Sequence, residues 1–474
     1  MAAKEVPRRD PGGGHRVVYH PMTNLNAALV GWSGVATSWW LLAVLLVACN
    51  RRKNRVPNTD SARESHLEAL DSSPARSPVP AASEHRPETS APRIATRVDA
   101  PQSRPTGIQE ASPSLTVFKP LPPVADEAGG AALRAAVESF IAQLGETDEL
   151  ILGIPQDLAA IWRPTVVRWR EQFPSAHIIE CCQASPRHHA NPKVAWLEVL
   201  APRAQGDCWV WSDADIIASP GLLNALREEL EAHDAGAVTT AYCVRQVLAA
   251  PGLLDALFVN TDFLPGARLL GWLGPVRLSF GAAVIFRASE FQQKVRWTDL
   301  GTCLADDYAL GQYLAPVVIS TELVETCALQ TRWSDALRHL HRWQKTIRWC
   351  RPGSFAALLF IMPLFGWLLR CAWAPTDPLS WLGLSAQWGV EAVTAGLILA
   401  TLRFRSLGRH LWIVALWPGI RLVGWISGWL PIPVMWERNP WRTPRQASES
   451  SSPFASAKPD YEPRPKSEAV QRES

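Results

Sequence analysis

The sequence predicts an α/β domain with a mostly parallel, Rossmann-like sheet, carried on one N-terminal and about three C-terminal transmembrane helices. Two observations predict this. Between residues 115 and 243, short apolar runs alternate with helical periodicities, the pattern of parallel strands joined by crossover helices. Outside that region, four largely apolar stretches (27–49, 355–373, 381–402 and 411–430) have the length of about 20 residues that crosses a hydrocarbon core. Many of the 23 tryptophans flank or line apolar segments, as aromatic side chains do at bilayer interfaces.

Residues 1–26 are polar and basic. The 27–49 stretch is followed at once by Arg51-Arg-Lys53 and has no small-residue cleavage site close behind it. It therefore reads as an uncleaved anchor and not as a signal peptide. Residues 51–114 are dominated by Pro, Ser, Ala, Arg and Glu, which bury too little surface to offset chain entropy, so a disordered tether is expected. The catalytic-type domain is expected over 115–352. Its predicted strands are Leu115–Leu121, Glu149–Ile154, Ala176–Glu180, the apolar run before Asp213, and Gly236–Cys243. Its predicted helices are Ala131–Leu144, Leu158–Phe173, Val194–Leu200 and Leu222–Ala232. The apolar stretch 246–275 is too broken by Gly and Pro to span a bilayer; it is either core or a surface that dips into the interface. From Ala336 to Arg351 a helical pattern carries Arg338, Arg342, Lys345, Arg348 and Arg351, the signature of a membrane-surface or anion-binding helix.

Lysines and arginines sort the loops. The basic helix precedes the 355–373 span, and Arg403, Arg405 and Arg409 lie between the last two spans, whereas Ala374–Ser380 has neither Lys nor Arg. The positive-inside rule then places the domain in the cytoplasm and that short loop outside. The polar tail, 431–474, carries Arg438, Arg442, Arg445 and Lys458, which argue for the opposite side to the one the span count gives it. Glu391 and Arg421 fall near the middle of two spans; intramembrane charges are costly unless paired, so they are expected to pair. A net charge of +3 gives no global nucleic-acid signature. Nine cysteines without metal or disulfide spacing fit a reducing compartment.

Chemistry begins at Trp209-Val-Trp-Ser-Asp-Ala-Asp215, an apolar strand that ends in two aspartates before a turn at Ser219-Pro-Gly221. In α/β sheets ligands bind outside the carboxyl ends of strands. Two carboxylates there suit a hard divalent cation, which takes oxygen ligands and shares them with phosphates. Alone, such a pair also describes a solvated turn.

Other motifs follow in order: Lys119-Pro-Leu121, Asp157 after the second strand, Asn191-Pro-Lys-Val194, Phe280-Gly-Ala-Ala-Val-Ile-Phe-Arg287, Leu304-Ala-Asp-Asp-Tyr308 and His339-Leu-His-Arg-Trp343. The series resembles the ceramide glucosyltransferase family of inverting, membrane-bound glycosyltransferases (family 2/21 type) and is similar to bacterial hopanoid glycosyltransferases, over roughly residues 115–440. The resemblance implies a GT-A catalytic fold, a UDP-sugar donor and a membrane lipid acceptor. Glucose transfer to a ceramide-like hydroxyl is the first expectation, and N-acetylglucosamine transfer to a hopanoid the alternative.

It also implies roles. Asp157 lies in the nucleotide pocket, Asp213 and Asp215 hold Mg²⁺ or Mn²⁺, and Asp307 is the general base beside the acidic position Asp306. Arg342 pairs with the diphosphate, and Trp343 forms a wall of the acceptor or sugar site. His339 stands where the family often has Gln. Asn191, Lys193 and Arg287 are either donor-site contacts or structural residues. Gln330-Thr-Arg-Trp333 is one residue short of the Gln-x-x-Arg-Trp spacing, so Trp333 is expected in the core. His188 and His189 read as loop residues. A processive polysaccharide synthase would carry more spans, and an inactive membrane scaffold would not need every acidic position.

Overall fold

The structure is a computed structural model and describes residues 28–35, 37, 38, 42, 45, 47, 113–122, 127–404, 407–436, 439 and 440. The expected polar N-terminus, the tether up to residue 112 and the tail beyond 440 lie outside the described residues. The alternating region forms β1 (Leu115–Pro120), α1 (Glu127–Ile141), β2 (Glu149–Pro155), α2 (Ala159–Gln172), β3 (His177–Gln183), α3 (Pro192–Leu200), β4 (Cys208–Ser212), β5 (Ile216–Ile217), α4 (Leu222–Ala232) and β6 (Ala237–Val247). Next come α5 (Leu253–Phe258), a π-helical turn (Val259–Phe263), α6 (Leu264–Leu273), β7 (Ala283–Arg287), α7 (Ala288–Lys294), α8 (Trp297–Gly301), α9 (Asp306–Tyr313), β8 (Val317–Ala328) and α10 (Trp333–Cys350).

The eight strands lie in the order β3-β2-β1-β4-β7-β6-β8-β5. From β3 to β4 every pairing is parallel, but β7 is antiparallel to both β4 and β6, and β5 is antiparallel to β8. The sheet is thus mixed, with four of its seven pairings parallel, β6 with β8 among them. The cause is the α5–α6 excursion. It leaves from the carboxyl end of β6 and re-enters the sheet at the same end, so β7 must run downward. Apolar side chains cover both faces. Leu133, Val137, Phe140, Trp162, Trp169, Leu222 and Leu226 pack on one, and Val194, Leu197, Leu200, Phe291, Leu300 and Leu310 on the other.

After α10, α11 (Pro352–Ala357) leads through a 3-10 turn (Leu358–Ile361) to α12 (Pro363–Trp373), followed by α13 (Pro378–Thr401) and α14 (Leu411–Trp429). Pro378–Thr401 and Leu407–Trp429 are long and apolar enough to cross a membrane. The expected 355–373 span is instead two pieces, Pro352–Ile361 and Pro363–Trp373, bent by 70°. Pro363 explains the break: it has no N–H to donate, and its ring disfavours helical backbone at Met362. In lipid the freed backbone groups need partners. Trp32 Nε1 donates to the Phe360 carbonyl at 2.8 Å, Ser33 Oγ to the Pro363 carbonyl at 3.3 Å, and Leu364 N–H donates to Glu391 Oε1 at 3.2 Å. Trp32 and Ser33 belong to the helical residues of the expected N-terminal anchor, so that segment seals the break.

The 246–275 stretch proves to be core that docks the domain on the spans. Leu253, Leu254, Leu257, Phe258 and Val259 pack with Leu340, Ala395, Leu399 and Trp417, and only its far end, at Trp272 and Leu273, is widely exposed. The intramembrane pairing differs from the expectation in one respect. Arg421 Nε lies 2.6 Å from Asp262 Oδ1 in the π-helical turn, and Glu391 Oε2 stands farther off, 3.7 Å from Arg421 Nη1. The π turn brings Asp262 and Thr261 to α14, where Trp417 Nε1 also donates to Thr261 Oγ1. Nor does α10 lie free on a surface. Lys345 Nζ and Arg348 Nη1 donate to the Leu430 and Gly428 carbonyls, placing cations at the negative end of α14. Trp333, expected in the core, is 42% exposed at the start of α10 against Trp412.

Breaking a buried ion pair strands a charge, at a cost of about 3–5 kcal/mol. Asp262→Asn is therefore expected to lower the melting temperature of the detergent-solubilised protein more than Glu391→Gln does. Equal or reversed losses would contradict Asp262 as the main partner of Arg421.

Candidate active site

The carboxyl ends of β1, β2 and β4 open at one edge of the sheet. Under that edge lies Lys119, fully buried at the end of β1. Its ammonium donates to Ser212 Oγ at 3.0 Å, to the Asp213 carbonyl at 2.8 Å and to the Ile216 carbonyl at 3.4 Å, and it sits 3.9 Å from the centre of the Phe140 ring. Burial pulls its pKa down to about 7, against the opposing pull of Asp215 and Asp213. Lys119 thus ties down the backbone of the Asp213–Asp215 turn. The sequence motif contained it, but its role was not legible there; the one signal was a lysine closing an otherwise buried strand.

Above the turn, carboxylates crowd. Lys193 Nζ lies 2.5 Å from Asp213 Oδ1 and 3.6 Å from Asp306 Oδ2. Burial opposes the charge on Lys193, but Asp213, Asp306 and Asp307 outweigh it and hold its pKa above the ordinary lysine value. Asn191 organises the other side. Its Oδ1 caps α3 by accepting from Lys193 N and Val194 N, and its Nδ2 donates to buried Asp306 Oδ1 at 3.0 Å. One side chain therefore aims Lys193 and restrains Asp306. Asp307 starts α9, accepts from Tyr308 N–H at 2.8 Å, and has its backbone carbonyl held by Ser279 Oγ at 2.6 Å. Burial, then Asp306, push its pKa up to about 7. Asp215 accepts from Thr326 Oγ1 at 2.9 Å; burial and then the neighbouring Asp213 raise its pKa.

The floor of this cleft is Gly281. A Cβ there would meet Asp213 Oδ2 at 3.0 Å, Asp307 Oδ2 at 3.4 Å and Lys193 Nζ at 3.4 Å. Three groups from α3, the β4–β5 turn and α9 converge on the space this glycine leaves open. Sequence reading quoted the Phe280–Arg287 motif but did not single out Gly281.

The comparisons bear on this cleft. The family model of glycosyl transferase family 21 matches residues 90–446. The chain belongs to glycosyl transferase family 21. It is a glycosyltransferase family enzyme with a mixed α/β sheet. No curated protein matches the sequence. Among solved structures it is similar to a mannosyltransferase from Pyrobaculum calidifontis in complex with GDP-Man and Mn²⁺. Identity is 16%, with 67% of this chain and 86% of that one covered, at a TM-score of 0.38. It is also similar to GalNAc-T7 with UDP, GalNAc and Mn²⁺, at 9% identity over 51% of this chain and 48% of that one, with a TM-score of 0.34.

In this family 21 chain, α10 brings a second group of candidates. Arg342 is largely removed from water, which lowers its pKa, while Asp255 and Asp213 counter the effect. Trp343 packs between Phe258 and Phe263, with ring centroids 5.7 and 6.3 Å away. His339, the departure from the family's Gln, has a partner of its own. Its Nδ1 lies 2.5 Å from Oδ2 of buried Asp255, with Gln330 Nε2 3.3 Å away. Gln330, set aside on spacing, thus stands beside the position where the family's Gln would be. Asp157 is exposed in the 3-10 turn after β2, on the same edge as Asp213. Arg287 is not brought to the cleft. It pairs in register with Cys208 at the opposite end of β4, and its Nη1 donates to the Ala235 carbonyl and to Glu290. The antiparallel course of β7, not visible in the sequence, carries it away.

Gly281→Val would fill the space among Asp213, Asp307 and Lys193. Expected is loss of glycosyl transfer with thermal unfolding close to that of the parent; a variant transferring at the parent rate would show that this space is not the reaction site.

Proposed function

We propose that this family 21 enzyme moves a sugar, glucose before others, from a UDP-sugar to the hydroxyl of a ceramide-like membrane lipid, with inversion at the anomeric carbon. The observation that carries the reading is the meeting of Asp213, Lys193 and Asp307 over Gly281, in a domain docked on apolar helices by its own core.

Asp307 is the general base. It takes the proton of the lipid hydroxyl as that oxygen attacks the anomeric carbon. The bond from that carbon to the UDP oxygen breaks on the opposite side, and UDP leaves. A carboxylate whose pKa lies near neutrality suits this transfer, because Brønsted behaviour favours a base matched to the working pH. Lys193 and Arg342 offer cations to the diphosphate, and a guanidinium matches its oxygens in a bidentate way. Asp157 borders the nucleotide, and Trp343, among Phe258 and Phe263, forms the wall facing the lipid chain.

The acidic cleft fits a hard cation. Asp213, Asp215, Asp306 and Asp307 outnumber Lys119 and Lys193, and the side chain of Asp213 is 43% exposed. Asp213 and Asp215 would hold Mg²⁺ or Mn²⁺, which as a Lewis acid neutralises charge on a departing diphosphate. The loop charges support a cytoplasmic side for the domain.

Asp307→Asn is expected to cost about 10²–10⁴ in kcat while leaving UDP affinity in place. Because its carboxyl holds a proton up to about pH 7, the parent rate should rise with pH through about 7 and fall below it. A rate flat from pH 5 to 8 would exclude Asp307 as the base. Mass spectrometry of lipids from a host expressing the parent or Asp307→Asn protein should show a hexosylated lipid only with the parent. N-acetylhexosamine on a hopanoid would transfer the assignment to that alternative, and no UDP-sugar turnover at all would favour an inactive scaffold.

A further inference from the structure

Outside the acidic cleft, one loop carries donors of another kind. His188 and His189 stand side by side between β3 and α3, and Glu198 lies in the last turns of α3. The Nε2 atoms of both histidines approach one oxygen, Glu198 Oε2, at 2.8 and 2.7 Å. Among the described residues, these three form the group of His, Cys, Asp or Glu side chains whose donor atoms lie within 4.8 Å of one another.

Two imidazoles and a carboxylate are a ligand set of Zn²⁺, which binds histidine nitrogen and carboxylate oxygen at about 2.0–2.2 Å. A tetrahedral cation among them needs donor separations of roughly 3.3 Å, a shift of a few tenths of an ångström that side-chain torsions supply. The frame is already stiff. α3 is capped by Asn191 and buries Leu197 and Leu200 on either side of Glu198. The ring of His189 lies against Gly301, where any Cβ would collide with Nδ1, and the Gly301 carbonyl accepts Asn191 N–H at 2.9 Å. His189 is 9% exposed, whereas His188 and Glu198 are 46% and 34% exposed, so a fourth position faces water.

We propose that His188, His189 and Glu198 form a site for a borderline transition cation, Zn²⁺ foremost, which ties the 184–190 loop to α3. Imidazole nitrogen discriminates against Mg²⁺, which prefers oxygen donors and keeps its waters. The site is therefore chemically separate from the all-carboxylate cleft. The tie also matters for that cleft, since the loop runs directly into Asn191 and Lys193.

The test uses full-length, tag-free protein in detergent, stripped with chelator and held in saturating Mg²⁺ so that oxygen-only sites are filled. Zinc titration against a chromogenic chelator should find one equivalent per chain, and zinc should raise the melting temperature. His188→Ala/His189→Ala should lose that equivalent, and Glu198→Gln, which keeps the shape of the side chain, should bind at least tenfold more weakly. Cobalt bound to the parent protein should show tetrahedral visible bands that Zn²⁺ abolishes and Mg²⁺ does not, a readout that needs no variant. Zinc fully displaced by Mg²⁺, retained by the double variant, or absent from the parent at about a hundredfold molar excess would each overturn the site.

Discussion

The structure depends on holding several carboxylates in one cleft without letting them drive it apart. Asp213, Asp215, Asp306 and Asp307 come from two separate segments, and like charges out of water repel strongly. Two lysines make the arrangement possible in different ways. Lys193 stands among the carboxylates and binds Asp213 directly, whereas Lys119 lies beneath and grips backbone carbonyls of the turn. Asn191 links the two halves, since the amide that caps α3 also bonds Asp306. The cleft keeps an excess of negative charge, which is what a diphosphate-bound cation and a basic carboxylate both require.

The same logic recurs among the apolar helices. A helix broken at Pro363 and the ionisable Asp262, Glu391 and Arg421 would be costly in apolar surroundings alone. Each is met from another segment: Trp32 and Ser33 from the N-terminal helix, Glu391 from α13, and Asp262 from the π turn of the catalytic domain. Because Asp262 belongs to the domain and Arg421 to the last span, this pair fixes one against the other. Trp343 packs on Phe258 and Phe263, the latter beside Asp262, and so joins the same docking region.

Periodicity made the strands before residue 247 and the helices between them legible, because burial on one or two faces imposes periods of 2 and 3.6. The order of motifs singled out the β4 aspartates, Asp307 and Arg342-Trp343, and the structure brings Asp213 and Asp307 to one space over Gly281. Lys119, Gly281 and Asp255 were not singled out, since their roles lie in what they touch from distant segments of the chain. Arg287 shows the converse: of its two expected roles the structure leaves the structural one, and the strand direction that decides where it points was not in the local pattern. The 355–373 stretch has the length and apolarity of a span, but the 70° bend that Pro363 puts in it was not read from composition.

By itself the sequence determined the alternating α/β pattern, the apolar stretches and the family, because composition, period and motif order are local properties of the chain. Only the tertiary structure decided that β7 runs antiparallel, that Asp262 outranks Glu391 for Arg421, and that Lys193 and Asp307 share one space over Gly281. Those are contacts between distant segments, set by which surfaces must be buried together and which charges must find partners once they are.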